Sequence, residues 1–280
     1  MTDPTSSFLP TVAVLGCGWL GLPLARALVA AGYSVHGSTT TPGQLLTLRH
    51  AGILPYLLRL SPTLSTIDAD TLHALLHEVD ILVLNVPPSR GAGSADAYPT
   101  VVQMVAKAAA RAQVQHVLYV SSTGVYPDRP GSLRESDAVA SSEAVTPLLR
   151  AEALFANSEN TIVRLAGLMG PGRAPGRFLA GRQDVAQGDA PVNLIHLDDC
   201  VGLLMQIIEQ EVWGHTFNAC ANSHPLRRDF YPLAATHLGL QPPTFQASSA
   251  GGKQIDSSQV RHATGYEFRH DDVVAALAHC

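Results

Sequence analysis

The sequence predicts an α/β protein, a doubly wound parallel sheet followed by a smaller C-terminal region packed on the sheet's carboxyl edge. Three observations predict it. Short apolar runs alternate with segments of helical period over the first 165 residues. The runs are continuous, as in Val12-Ala13-Val14-Leu15 and Ile81-Leu82-Val83-Leu84, which is the pattern of parallel strands buried on both faces. A G-x-G-x-x-G turn from Gly16 to Gly21 joins the first run to the first helical pattern.

In chain order, Val12–Leu15 is a strand and Leu20–Ala31 a helix, with Leu20, Leu24, Leu28 and Ala31 on one face. Tyr33–Thr39 reads as the second strand, Gln44–His50 as a short helix and Ile53–Leu60 as the third strand. Thr71–His77 is helical, and Asp80–Val86 is a buried strand that ends at Pro87-Pro88-Ser89-Arg90, because proline cannot donate to a sheet ladder. An alanine-rich helix spans Tyr98–Gln113, His116–Ser121 is strand five, a helix lies within Glu143–Asn157, and Thr161–Leu165 is strand six. Strand and helix in strict alternation imply right-handed crossovers and a doubly wound sheet.

Beyond Ala166 the character changes. Gly167–Pro191 is rich in Gly, Pro and Arg, and shorter elements follow: strands at Val192–Ile195 and Thr216–Asn218, helices at Val201–Gln210 and Arg228–Leu238, and a closing helix at Asp271–Ala278. The expected division is 11–166 for the sheet domain and 167–280 for the smaller region.

The 280 residues are 46% hydrophobic and 15% charged with a formal net charge of -5, which fits a compact globular unit and excludes disordered and fibrous classes. The mild acidity argues against nucleic acid as a partner. No apolar run approaches the roughly 20 residues that span a bilayer. Met1–Pro10 lacks a secretory pattern, so a cytoplasmic chain without membrane association is expected. Cys17, Cys200, Cys220 and Cys280 form no C-x-x-C pair, so neither a zinc site nor a disulfide framework is expected.

The glycine turn has the form of a Rossmann dinucleotide site. Gly16 permits the tight turn, Gly18 lets the backbone approach a pyrophosphate, and Gly21 lets the helix lie close on the strand. Phosphates there meet free N–H groups and the positive helix end, so Gly16, Cys17, Gly18, Trp19, Leu20 and Gly21 are the expected cofactor contacts. At the end of strand two, where an acid holds the ribose of NAD, the chain has Ser38, Thr39 and Thr40. Hydroxyls accept a 2′-phosphate that an acid repels, so NADP is expected, with NAD as the alternative.

Three further runs follow in order: Tyr119-Val120-Ser121-Ser122-Thr123-Gly124-Val125-Tyr126, Arg164-Leu165-Ala166-Gly167-Leu168-Met169-Gly170-Pro171-Gly172-Arg173, and Asn193-Leu194-Ile195-His196-Leu197-Asp198-Asp199. With the glycine turn, they resemble the NAD-dependent epimerase/dehydratase family of the extended short-chain dehydrogenase/reductases over roughly residues 11–210. The resemblance implies that Ser122 bonds the reacting substrate oxygen and that Ser121 and Thr123 flank cofactor and substrate. It also implies that cofactor passes the backbone of Val86, Pro87 and Pro88, and that the chain dimerises through helices. The family's Tyr-x-x-x-Lys is missing. The chain has two lysines, Lys107 and Lys253, and Gln103 and Ser249 stand four residues before them. This departure is similar to that of the atypical short-chain dehydrogenase/reductases. Thr146 and Arg150 keep the helical spacing of the dyad, but a threonine is a poor proton donor.

Tyr126 is the tyrosine nearest Ser122 and is read as the proton donor beside it, with a bound water as the alternative mover of the proton. The resemblance implies instead a pocket or packing role for this tyrosine. Asp128, Arg129 and Glu135 on the same loop read as exposed charges. Arg164, Arg173, Arg177 and Arg182 place four arginines in nineteen residues with no acid among them. Guanidinium forks match phosphate and carboxylate oxygens, so Arg164 and Arg173 are expected to bind an anionic small-molecule substrate, a nucleotide sugar being one such compound. Near His196, an aspartate of the pair Asp198-Asp199 is expected to cap the following helix, with no metal. Two readings result. One is an NAD(P)-dependent oxidoreductase, epimerase or dehydratase; the other is a non-catalytic module that senses NAD(P) or binds a partner.

Overall fold

Val12 and Val14 face one core and Ala13 and Leu15 the other, and all four are at most 1% exposed. That two-sided burial is why the first strand reads as an unbroken apolar run. A computed structural model of the chain describes residues 9–88, 94–247 and 251–280; Ser89 and Arg90 lie outside them.

The first half runs β1 (Thr11–Leu15), α1 (Gly21–Ala30), β2 (Ser34–Thr39), α2 (Gln44–His50), β3 (Leu54–Leu57), α3 (Thr66–Leu76), β4 (Ile81–Leu84), α4 (Ser94–Arg111) and β5 (His116–Ser122). It continues through β6 (Gly131–Leu133), α5 (Pro147–Glu152), β7 (Thr161–Leu165), β8 (Gly167–Met169) and α6 (Gly176–Leu179). The C-terminal part holds β9 (Leu194–His196), α7 (Leu197–Glu209), β10 (Thr216–Ala219), α8 (Arg227–His237), β11 (Lys253–Ile255) and α9 (Ser258–Thr264).

Seven parallel strands form the main sheet in the order β10-β7-β5-β4-β1-β2-β3. The chain winds outward from β1 through β2 and β3, then returns to β4 and winds the other way. The crevice between the carboxyl ends of β1 and β4 is the switch point where such sheets bind ligands.

One face of the sheet is covered by α1, α2 and α7, whose Leu24, Leu28, Leu48, Leu203, Leu204 and Ile207 meet Val83, Leu118, Val163 and Phe217. On the other face, Leu72, Leu75, Val102 and Val105 of α3 and α4 meet Leu82, Leu84 and Tyr119. Each such leucine or valine contributes about 1.5–3 kcal/mol by leaving water.

The structure corrects several expectations. The division at Ala166 does not separate two cores, because β10 pairs with β7 in the main sheet and α7 packs against α1. The helix expected within Glu143–Asn157 is only the short α5, begun by Thr146 Oγ1, which accepts the Leu149 amide, and by Pro147 in its first turn. The closing helix is a 3-10 turn at Ala275–His279. Two short parallel pairs, β6 with β11 and β8 with β9, join segments far apart in sequence, and neither β6 nor β11 carries a local strand signal.

Candidate functional site

The turn after β1 lies at the switch point, and its three glycines differ in what requires them. Gly16 has φ +106°, and a Cβ there would lie 2.4 Å from the Asn85 carbonyl oxygen. A Cβ on Gly21 would lie 2.1 Å from the carbonyl oxygen of Gly16. A Cβ on Gly18 would meet no protein atom within 4 Å. The fold therefore demands Gly16 and Gly21, while at Gly18 the absent side chain leaves open space beside the turn.

The turn is braced from both neighbours of β1. The Gly16 amide donates to Ser38 Oγ at 2.9 Å and the Cys17 amide to the Ser38 carbonyl at 2.8 Å. Asn85, just past β4, donates its Nδ2 to the Gly16 carbonyl at 3.1 Å. Two sequence expectations shift in consequence. The Cys17 amide and the Ser38 hydroxyl oxygen hold the turn together instead of facing a ligand. The Trp19 and Leu20 amides, by contrast, have no intramolecular acceptor among the described residues and precede the first turn of α1. The Cys17 thiol, pushed up to about 12 by burial, is an uncharged core group.

At the end of β2, Ser38 and Thr39 are buried, and Thr39 Oγ1 accepts the Thr41 amide. Thr40 is exposed. Past β4, Val86 gives its carbonyl oxygen to the Tyr98 hydroxyl at 2.7 Å, Pro87 is exposed and Pro88 half-buried.

Ser121 and Ser122 end β5 on opposite sides. Ser122 is exposed at the carboxyl edge, its Oγ accepting the Gly124 amide at 3.1 Å, which leaves its own proton free to donate. Thr123 is buried within the 3-10 turn that follows. Ser121 turns inward and donates to Glu152 Oε1 at 2.6 Å, so its side chain is no cofactor contact.

Tyr126 and Arg164 also differ from expectation. The Tyr126 hydroxyl, on a residue 3% exposed, donates to Asn218 Oδ1 at 2.7 Å and accepts from Arg164 Nη1 at 2.8 Å. Arg164 is 1% exposed and ion-paired with Glu152 at 2.7 Å, and it also donates to the Glu135 and Ala138 carbonyls. The first is no solvent-facing proton donor and the second no substrate-binding cation; together they tie β7 to α5 and to the loop after β5. Thr146 caps α5, and Arg150 Nη1 donates to the Ala144 and Val145 carbonyls while Nη2 lies 3.8 Å from Asp96 Oδ1 of α4.

Arg173 is the expected arginine that does reach the site. Trp19 Nε1 donates to the Pro171 carbonyl at 2.8 Å, and the exposed Arg173 guanidinium lies 5.5 Å from the Trp19 ring centroid. Because Arg173 spends Nε on the Leu168 carbonyl, its outer edge stays toward solvent beside the turn. Pro171, 152 positions from Trp19 along the chain, thereby holds the loop that carries Arg173 beside the glycine turn.

At the start of α7 the cap is His196, not an aspartate: its Nδ1 accepts the Asp198 amide at 3.2 Å. Asp199 is fully buried and accepts the Tyr266 hydroxyl and the Arg269 and His270 amides. His270, which the sequence left unassigned, comes within 3.2 Å of Asp198 Oδ2.

No helix among the described residues is long and apolar enough to cross a membrane. Comparison with known proteins agrees with the turn. A family model described as NAD(P)H-binding matches residues 16–195. Protein YeeZ of Escherichia coli strain K12 is 40% identical over 269 residues, covering 93% of this chain and 96% of its own. A protein from Methylobacillus flagellatus, provisionally described as an NAD-dependent epimerase/dehydratase, is 27% identical with a TM-score of 0.71 over 96% of this chain and 97% of that one. MoeE5, solved with UDP-glucose and NAD, shares the fold at a TM-score of 0.74 and 19% identity over 96% of each chain.

Proposed function

The chain belongs to the NAD(P)H-binding family, and from that premise we propose that it is an NADP-linked enzyme of the epimerase/dehydratase type acting on a small anionic substrate such as a nucleotide sugar. The observation that carries the reading is Gly18. Protein contacts account for Gly16 and Gly21, whereas the open space beside Gly18, within the same turn at the switch point, leaves room for a dinucleotide backbone to approach.

The missing acid at the end of β2 and the exposed Thr40 favour the 2′-phosphate of NADP. Arg173, fixed over Trp19 at the edge of the same turn, supplies positive charge for phosphate oxygens. MoeE5 was solved with UDP-glucose and NAD, which supports a nucleotide sugar as the class of substrate.

A bound nicotinamide supplies the site with a hydride donor or acceptor. The chain's part is to orient and to manage a proton. Ser122 donates its hydroxyl proton in a hydrogen bond to the substrate oxygen, since its acceptor side is already held by Gly124. Leu148 lies near Gly124 and gives that edge an apolar wall. With the Tyr126 hydroxyl enclosed, water takes or gives the proton that Ser122 does not. The same enclosed hydroxyl favours a second reading, a module that binds NADP(H) and signals its redox state without turnover.

Fluorescence titration separates these. NADPH binding is expected to quench Trp19, and Trp19→Phe to remove the response while Trp213, stacked on His116, is unaffected. Gly18→Ala, which the fold accommodates, is expected to weaken NADPH about tenfold or more, or about 1.4 kcal/mol, with unchanged melting temperature. Unaltered affinity in Gly18→Ala would sink the cofactor reading. Turnover of a nucleotide sugar that falls in Ser122→Ala supports the enzyme; tight binding with no hydride transfer to any nucleotide sugar supports the sensor.

A further inference from the structure

We infer that His196, Asp198 and His270 form a divalent-cation site of the zinc class, which pins the C-terminal segment to the start of α7. The three residues come from the end of β9, the first turn of α7 and the segment after α9. Their ligand atoms all lie within 4.8 Å of one another.

The geometry is close to what a small cation needs. With metal–ligand bonds of about 2.0–2.1 Å in a tetrahedron, neighbouring ligand atoms stand roughly 3.3–3.4 Å apart. Asp198 Oδ2 lies 3.5 Å from His196 Nδ1 and 3.2 Å from His270 Nε2. Two of three edges are therefore in place, and the imidazole rings lie with centroids 3.9 Å apart at a tilt of 47°. Two imidazole nitrogens with one carboxylate suit zinc and its late first-row neighbours and not magnesium or calcium, which prefer all-oxygen shells.

The surroundings hold these ligands as outer groups hold known metal ligands. His196 Nδ1 accepts an amide proton, so the ring carries its hydrogen on Nε2 and donates it to the His279 carbonyl at 3.1 Å. That fixes the tautomer with the Nδ1 lone pair toward Asp198. Its present bond to the Asp198 amide, at 3.2 Å, is at the long end for N–H donors and is the one a cation would replace. The buried Asp199 accepts the His270 amide at 3.0 Å and so presets the backbone of the distant ligand. On the outer side Asp198 is 52% exposed and borders a cleft of about 450 Å³ between α1 and α7, lined also by Pro23, Ala27, Val201 and Arg269. Water can complete the coordination from that side.

The competing account is that His196 only caps α7 and His270 only pairs with Asp198. Titration of the chelator-treated full chain with CoCl2 decides between them. The expected result is visible d–d absorption that saturates at one equivalent, is displaced by ZnCl2 and is untouched by MgCl2. His270→Ala is expected to weaken Zn2+ on the order of 100-fold or more, since losing a ligand costs more than losing an outer-shell partner. Asp198→Asn, an exposed and nearly isosteric change, should act in the same direction and guards against a folding defect in His270→Ala. No absorption from the wild-type chain would overturn the site outright. Equal affinity in wild type, His270→Ala and Asp198→Asn would overturn it too, by showing adventitious binding at other histidines.

Discussion

Glu152 and Arg164 share a bidentate contact in the core, Arg164 donating through Nε at 3.1 and 3.2 Å and through Nη2 at 2.7 Å, with the side chains 0% and 2% exposed. Removing one partner of such a pair strands the other charge in a low-dielectric interior. Arg164→Met is therefore expected to cost about 3–5 kcal/mol, and the double variant Arg164→Met/Glu152→Leu less than the sum of its parts. Urea unfolding of the three variants checks this. A cost near zero for Arg164→Met would return the residue to the substrate side.

Tyr126 sits on the same network, and its role can be separated by which property changes. Burial pushes its hydroxyl above the ordinary tyrosine range, opposed by Arg164 and Asn218, so it stays protonated through the neutral range. Tyr126→Phe is expected to lose about 1–3 kcal/mol of stability from the unpaired Asn218 and Arg164 groups. The alkaline limb of any pH–rate profile should not move. A large fall in turnover at unchanged stability would instead make the hydroxyl catalytic.

Cofactor choice is expected to turn on Thr40, the exposed hydroxyl past β2. Thr40→Asp should repel the 2′-phosphate and invert the preference, weakening NADPH and sparing NADH. Parallel fluorescence titrations give the ratio. Equal losses for both cofactors would place the ribose elsewhere.

Glu135 is half-buried, accepts the Asn218 amide at 2.7 Å, and has its carboxyl pushed above the ordinary range, by burial first, against the pull of that amide and of Arg164. A raised carboxyl contributes stability while protonated, and that contribution is lost as pH rises through its folded value. Glu135→Gln is permanently neutral and keeps an acceptor for Asn218. Its stability relative to wild type is expected to increase from the acid side of the carboxylate range to neutral pH. Urea midpoints at both ends test the sign, and a decrease would contradict it.

Much of the fold was legible because its signals are local. Continuous apolar runs marked β1 and β4, since a strand covered on both faces has no polar side to show. The edge strand β3 was expected too long, for Leu54 and Leu57 are apolar yet 52% and 44% exposed. The pairs β6 with β11 and β8 with β9 depend on partners brought together by the fold. Of the site residues, Gly16, Gly18 and Gly21 were readable because turn and helix contact impose a fixed spacing on glycine.

The sequence by itself determined the doubly wound sheet, the dinucleotide turn, the serine at the end of β5 and the lack of the Tyr-x-x-x-Lys pair, each carried by residues adjacent in the chain. Only the tertiary structure decided which arginine is buried and which reaches the turn. Arg164 and Arg173 look alike in the chain, but one lies on a strand facing Glu152 and the other in a loop beside Trp19. The structure likewise withdrew the Tyr126 hydroxyl into the core and carried His270 to Asp198 across 72 positions. Local spacing fixes backbone geometry, whereas the partner of a long polar side chain is set by whatever the packed fold places within its reach.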